Sequence, residues 1–144
     1  MANPFVMLVD DESDFIGTMS KRLQKRGFKV LTATEGKEAL ELVGKNRNLE
    51  VMILDVKMPG MDGIEVLREM KKSYPLIEVI MLTGHATIES AIDGMKIGAF
   101  DYLMKPCNIE QLSQKVQEAV EKRRAQEEKI EKARMEKVVS TRGI

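Results

Sequence analysis

The chain has 144 residues, 43% of them apolar and 32% charged, the profile of one globular domain carrying a charge-rich segment. Its 23 basic and 23 acidic residues cancel to a formal net charge of +0, which argues against a nucleic-acid or anionic-membrane surface as the main partner. Cys107 is the only cysteine, so an intramolecular disulfide and a thiolate metal cluster are both excluded. No apolar run is long enough to span a bilayer, and the start MANPFVMLVDDE lacks the basic region of a secretory signal. A reducing, cytoplasmic setting is the expectation.

Taken in order, Phe5 to Val9 is an apolar run ending at Asp10-Asp11 and reads as a first strand. A helix follows, with Ser13 as the expected N-cap, Phe15, Met19 and Leu23 recurring every four residues, and Gly27 as the C-cap. Lys29 to Ala33 is a short second strand. Gly36 opens a second helix with Ala39, Leu40 and Val43 on one face. Val51 to Leu54 is a third strand, apolar throughout and therefore buried on both faces; it ends on Asp55, and Pro59, Gly60 and Gly63 then break the chain. Gly63 starts a third helix bearing Ile64, Leu67 and Met70, which ends before Pro75. Val79 to Leu82 is the fourth strand and stops at Thr83. Thr87 caps a fourth helix, in which Ile88, Ala91, Ile92 and Met95 keep helical spacing, and Gly98 closes it. Phe100 to Met104 is the fifth strand, ending at Lys105-Pro106. Asn108 caps the last helix, with Ile109, Leu112, Val116 and Val120 expected inward.

Five strand–helix pairs imply a parallel sheet with helices on both faces. The expected fold is a doubly wound five-stranded α/β sandwich of order 2-1-3-4-5, flavodoxin-like, with its switch point between strands 1 and 3. The domain is expected over residues 1–122. Residues 123–144 form a charged tail; Glu121 to Lys137 is almost all Glu, Lys, Arg, Ala and Gln, and Glu118–Lys122 and Glu128–Lys132 stand at ion-pair spacing. The tail reads either as a solvated or frayed helix or as a linker helix or coiled-coil dimer arm; Ser140 to Gly143 reads as a helix end or the start of a linker.

The polar residues at the strand ends carry the chemistry. Asp10 and Asp11 end strand 1, Asp55 strand 3, Thr83 strand 4 and Lys105 strand 5, and in a parallel sheet all lie on one edge. Three carboxylates meeting at the switch point repel, and the natural remedy is a cation. Oxygen-only ligands with room for water suit Mg²⁺, and a phosphate oxygen commonly completes such a site. Lys105 as a point charge and Thr83 as a hydroxyl donor stand ready for that phosphate. The chemistry this suggests is phosphoryl transfer onto a carboxylate, which is already ionised at neutral pH and needs no general base.

The elements LVDDE, LDVKMPGMDG, MLTG and YLMKP, in this order and spacing, resemble the receiver domain of two-component response regulators over residues 5 to about 122. The stretch GHATIESAIDGMKIGAFDYLMKP looks particularly like receivers of nitrogen-regulator-type transcription activators. The resemblance implies that Asp55 is the phospho-acceptor and that Asp10 and Asp11 hold Mg²⁺ together with Asp55 and the backbone carbonyl of Lys57. It implies that Lys105, with a cis bond to Pro106, binds the phosphoryl group, and that Thr83 turns its hydroxyl toward it. Tyr102 then moves inward and changes the face made by helix 4, strand 5 and helix 5. The implied donor is a phosphohistidine on a sensor histidine kinase or phosphotransfer protein, and the chain is then a switch rather than a turnover enzyme. Plainer roles stand beside these: helix capping for one of Asp10 and Asp11, a capping hydroxyl for Thr83, and half-buried sheet packing for Tyr102. His85, the only histidine, and Lys57 read as rim residues that tune water access and dephosphorylation, the methionines as core filler, and Cys107 as structural or incidental.

Two other function classes compete. A flavin-binding electron carrier needs a hydroxyl- and glycine-rich loop after strand 1, where this chain has Asp10-Asp11-Glu12. An Asp-nucleophile phosphatase needs an acid two residues after the nucleophile, where this chain has Lys57.

Overall fold

A computed structural model describes residues 3–141. Five strands, β1 (Phe5–Val9), β2 (Lys29–Ala33), β3 (Val51–Leu54), β4 (Glu78–Thr83) and β5 (Asp101–Met104), alternate with five helices, α1 (Ser13–Lys25), α2 (Gly36–Lys45), α3 (Gly63–Ser73), α4 (Ile88–Ile97) and α5 (Ile109–Thr141). The strands pair in parallel in the order β2-β1-β3-β4-β5. This is the expected sheet, with β1 and β3 adjacent and in register, Val9 beside Leu54.

Side chains alternate across the sheet, so each strand feeds two cores. Met7, Val9, Met52, Leu54, Val79 and Met81 pack with Ala39, Val43, Leu67 and Met70 of α2 and α3. Val6, Leu8, Ile53, Ile80 and Leu82 pack with Met19, Leu23, Leu112, Val116 and Val120 of α1 and α5. Both faces of β1, β3 and β4 are therefore buried, which is why these strands are continuous apolar runs.

Several local readings change. Glu12, not Ser13, holds the N-cap position of α1, and no side chain bonds there. Arg26 is the C-cap of α1, and Gly27 follows it at φ +89°, a conformation open to glycine. Thr87 and Asn108 cap their helices as expected, accepting from the backbone N–H of Ser90 and Gln111 at 3.0 and 2.7 Å, and Asp62 caps α3, accepting from Glu65 N–H at 3.0 Å. The largest departure is α4. Its evenly spaced apolar residues face out: Ile88 is 81% exposed and Ile92 and Met95 are each 48% exposed, while Gly94 is the helix's buried residue. Helical periodicity reveals a stripe but not what the stripe faces.

α5 runs unbroken for 33 residues, about 50 Å at the usual helical rise. Its packing on the sheet continues past position 122. Arg123 is buried and donates Nη1 to the Leu49 carbonyl at 2.9 Å, and Arg124 grips the Glu50 carboxylate through Nε at 2.7 Å and Nη2 at 3.0 Å. Residues 127–140 are exposed. The expected Glu118–Lys122 pair is replaced: Lys122 reaches Glu78 on β4 at 3.3 Å, and Glu118 pairs within α5 with Lys115 at 3.7 Å. Arg142 and Gly143, where a linker start was expected, lie outside the described residues.

Candidate functional site

The backbone ladder runs one residue past the strand ends and carries the polar residues with it. Asp10 N–H donates to the Ala33 carbonyl at 3.1 Å, Asp55 N–H to Val9 at 3.0 Å, and Lys105 N–H to Thr83 at 2.9 Å. Gly63 N–H closes the loop after β3 onto the Val56 carbonyl at 2.7 Å. A side-chain carbon on Gly63 would collide with the Asp55 carbonyl oxygen and stand 2.7 Å from Val56 Cα. Glycine at position 63 is therefore what lets α3 start directly against Asp55.

Carboxylate oxygens of Asp10, Asp11 and Asp55 lie within 4.8 Å of one another. Asp10 and Asp55 are buried and Asp11 is exposed. Lys105 Nζ is 2.6 Å from Asp10 Oδ2, 3.2 Å from Glu12 Oε1 and 4.0 Å from Asp55 Oδ2. Asp10 Oδ1 also accepts from Glu12 N–H at 2.9 Å. Burial pushes the Asp10 carboxyl above its usual range, with the nearby Asp55 charge adding to it, against the opposing bonds from Lys105 and Glu12 N–H. Burial alone would lower Lys105, but its bond and attraction to Asp10, with Asp55 and Glu12 behind, hold it above the ordinary lysine value. The ammonium also sits 4.0 Å from the centroid of the Phe15 ring, a cation–π seat that fixes the lysine stem. Glu12 and Phe15 are the partners that sequence reasoning did not assign; both fall within one turn of Asp11.

Asp55 Oδ1 is buried with no hydrogen-bond partner. A buried, unmatched carboxylate oxygen beside two further acids and one lysine is a donor set short of positive charge. It fits a hard divalent cation bound through oxygens.

Thr83 is fully buried, and its Oγ1 accepts from the His85 N–H at 3.0 Å, shaping the turn between β4 and α4. Lys57 and His85 are exposed and line one open cleft next to Asp55, along with Asp62, Thr87 and Ser90. Tyr102 is half-buried, with its hydroxyl 2.6 Å from Ser90 Oγ. The Lys105–Pro106 bond is cis. Cys107 lies partly buried beside the α5 N-terminus, and burial raises its thiol. Among the described residues, no helix is long and apolar enough to cross a membrane.

The response regulator receiver domain family model matches residues 6–117. Among curated proteins, a putative NtrX-like response regulator of Rickettsia bellii is 36% identical over 88% of this chain. The DNA-binding transcriptional regulator NtrC of Escherichia coli is 33% identical over 83%. The chain spans about a quarter of the length of these relatives, 27% and 25%. A receiver domain structure from Clostridium thermocellum superposes with a TM-score of 0.81 at 38% identity, covering 85% of this chain and 98% of that one. The receiver domain of NtrX from Brucella abortus gives 0.75 at 31% identity, covering 81% and 98%. With the 2-1-3-4-5 sheet and the acidic edge in place, these matches settle the family: the chain belongs to the response regulator receiver domains of two-component systems.

Proposed function

We propose that the chain is a phosphorylation-operated switch in which Asp55 takes a phosphoryl group from the phosphohistidine of a sensor histidine kinase or phosphotransfer protein. A carboxylate oxygen of Asp55 attacks phosphorus, the P–N bond to the donor imidazole breaks, and an aspartyl phosphate forms. The observation that carries this reading is the buried, unpartnered Asp55 Oδ1 with Lys105 4.0 Å from the other oxygen. The nucleophile is held in place, and the cation that would accept the new phosphoryl charge is already beside it.

Asp10, Asp11 and Asp55, with the backbone carbonyl of Lys57, would hold Mg²⁺, which when bound neutralises charge on the transferring phosphoryl group. Lys105 leaves its bond to Asp10 for the phosphoryl oxygens. Thr83 releases the His85 N–H and turns its hydroxyl toward the phosphate, and Tyr102 follows, altering the α4-β5-α5 face. Lys57 and His85, exposed on the cleft rim, set how water reaches the acyl phosphate and so its lifetime. The chain loses its own phosphoryl group by hydrolysis and is not a turnover enzyme. The exposed part of α5 contributes to a homodimer; light scattering showing a monomer with and without beryllofluoride would contradict this. The setting is cytoplasmic, and no nucleic acid is bound by this segment.

The test is incubation with acetyl phosphate and Mg²⁺ followed by intact-mass measurement. One phosphoryl group per chain is expected, and none in Asp55→Asn. Labelling that survives the substitution overturns the assignment.

A further inference from the structure

Among the helices, α4 is held in an unusual way. It buries Gly94, leaves Ile97 partly buried and turns Ile88, Ile92 and Met95 to solvent. Its contact with β5 is made through Tyr102. A side-chain carbon built on Gly94 would stand 3.6 Å from Tyr102 Cδ2, 3.9 Å from Cε2 and 3.8 Å from Met81 Cγ. The ring thus lies beside the α4 backbone at Gly94, where an added carbon would make ordinary van der Waals contact with it.

One turn earlier on the same face stands Ser90, whose Oγ is 2.6 Å from the Tyr102 hydroxyl. Ser90 is also the third residue of α4 and half of its capping box: its N–H donates to Thr87 Oγ1 at 3.0 Å, and its Oγ accepts from Thr87 N–H at 3.2 Å. The Ser90 hydroxyl donates to the Thr87 carbonyl at 3.1 Å. Either hydroxyl can donate in the 2.6 Å tyrosine–serine bond. One serine oxygen therefore belongs to both the cap of α4 and the tyrosine of β5.

We propose that Ser90 is a positioning residue that holds the Tyr102 ring in its half-buried seat and ties that seat to the N-terminal cap of α4. The proposal deepens the reading of Tyr102 as the moving group of the switch. A ring that leaves the seat takes a bond from the cap, so tyrosine position and the order of the first turn of α4 change together. A serine that only capped the helix would not report on the ring.

The test uses the full chain labelled with 3-fluorotyrosine. The chain has two tyrosines, so Tyr74→Phe leaves Tyr102 as the single fluorine reporter. Ser90→Ala should move the ¹⁹F resonance toward its position in the unfolded chain, with the seated fraction falling about fivefold relative to the released one, the worth of one ordinary hydrogen bond. Ser90→Thr, which keeps the hydroxyl, should restore the original line. Thr87→Ala removes the other half of the cap, including the hydroxyl that donates to Ser90 Oγ at 2.9 Å, and should move the line in the same direction. Tyr102→Phe, which deletes only the hydroxyl, should speed amide exchange in the first turn of α4 by a similar factor. An unmoved line in Ser90→Ala, an unmoved line in Thr87→Ala, or unchanged exchange in Tyr102→Phe overturns the proposal. Beryllofluoride with Mg²⁺ separates it from the reading on which it rests. If the parent line ignores beryllofluoride, Tyr102 is not the moving group, while the Ser90→Ala comparison without beryllofluoride still decides the seat.

Discussion

The two edges of the sheet bury the same kind of residue and treat it in opposite ways. At the lower edge, Glu50 precedes β3 and Glu78 begins β4, and both are buried. Each is fully matched: Glu50 by the two-pronged Arg124 contact and the Phe5 N–H at 3.1 Å, Glu78 by Lys71 at 3.5 Å and Lys122 at 3.3 Å. At the upper edge, Asp10, Asp11, Glu12 and Asp55 gather around Lys105, and Asp55 keeps a buried oxygen with no partner. β3 thus carries a neutralised acid at one end and an unsatisfied one at the other. The contrast shows that burying an acid does not make it functional. What sets Asp55 apart is a shortfall of positive charge around it, where the acids below draw in the cations that α5 and α3 supply.

The titration directions do not by themselves separate the two edges. Burial leaves Lys71 lowered despite the pull of Glu78, and the hydrogen bond that Arg124 donates to Glu50 raises Arg124. Asp10, like Lys71, has its charged form disfavoured in the folded chain. What separates the edges is the unpartnered oxygen of Asp55.

Four variants can break or sharpen this comparison. The largest effect is expected below. The double change Lys71→Met, Lys122→Met strips Glu78 of both cations and leaves a buried carboxylate uncompensated, costing about 3 kcal/mol in urea unfolding. A loss under about 1 kcal/mol would mean the lower edge is not held by its ion pairs. Next is Gly63→Ala, which forces the α3 start away from the Asp55 carbonyl. Its expected cost is about 2–3 kcal/mol, with reduced acetyl phosphate labelling in whatever remains folded.

The third prediction has the opposite sign. A raised Asp10 carboxyl means the native state binds its proton more tightly than the unfolded chain does, so the ionised form costs stability. That cost is absent below the ordinary value of 3.8 and grows as pH rises through the raised one. Without divalent cations, Asp10→Asn should therefore be more stable at neutral pH by about 0.5–1 kcal/mol, and its advantage should shrink as pH falls toward 3.8. A destabilised variant at neutral pH would show that the upper edge is matched after all. The smallest effect is at Ile88: since it is 81% exposed, Ile88→Ser should change stability by less than about 0.5 kcal/mol. A core-sized loss would mean that the α4 stripe faces inward.

Much of this was legible in the sequence because parallel strands advertise themselves. Apolar runs ending in Asp55, Thr83 and Lys105 place those residues on one edge whatever the helices do, and the switch point brings Asp10 to Asp55. What pairs with what across the sheet was not legible. Glu50 and Glu78 look like ordinary charged residues at strand starts, and Lys122, Arg123 and Arg124 look like the beginning of a solvated tail. Only the packing of α5 against the sheet brings them together. The face of α4 was hidden for a related reason: Ile88, Ile92 and Met95 form as clean a stripe as any core helix, and the residue that docks, Gly94, has no side chain to register in a pattern. Lys105 was found, but its seat on Phe15 was not, since Phe15 also belongs to the buried face of α1.

The central claim, that the upper edge lacks a cation the lower edge does not need, is tested most directly by thermal unfolding across a Mg²⁺ titration. The parent chain should gain stability with Mg²⁺, by about 2.7 kcal/mol at a hundred times the dissociation constant. Asp10→Asn should gain little, and Lys71→Met, Lys122→Met should gain as much as the parent from its lower starting point. A parent chain indifferent to Mg²⁺, or an Asp10→Asn variant that gains equally, would contradict the account.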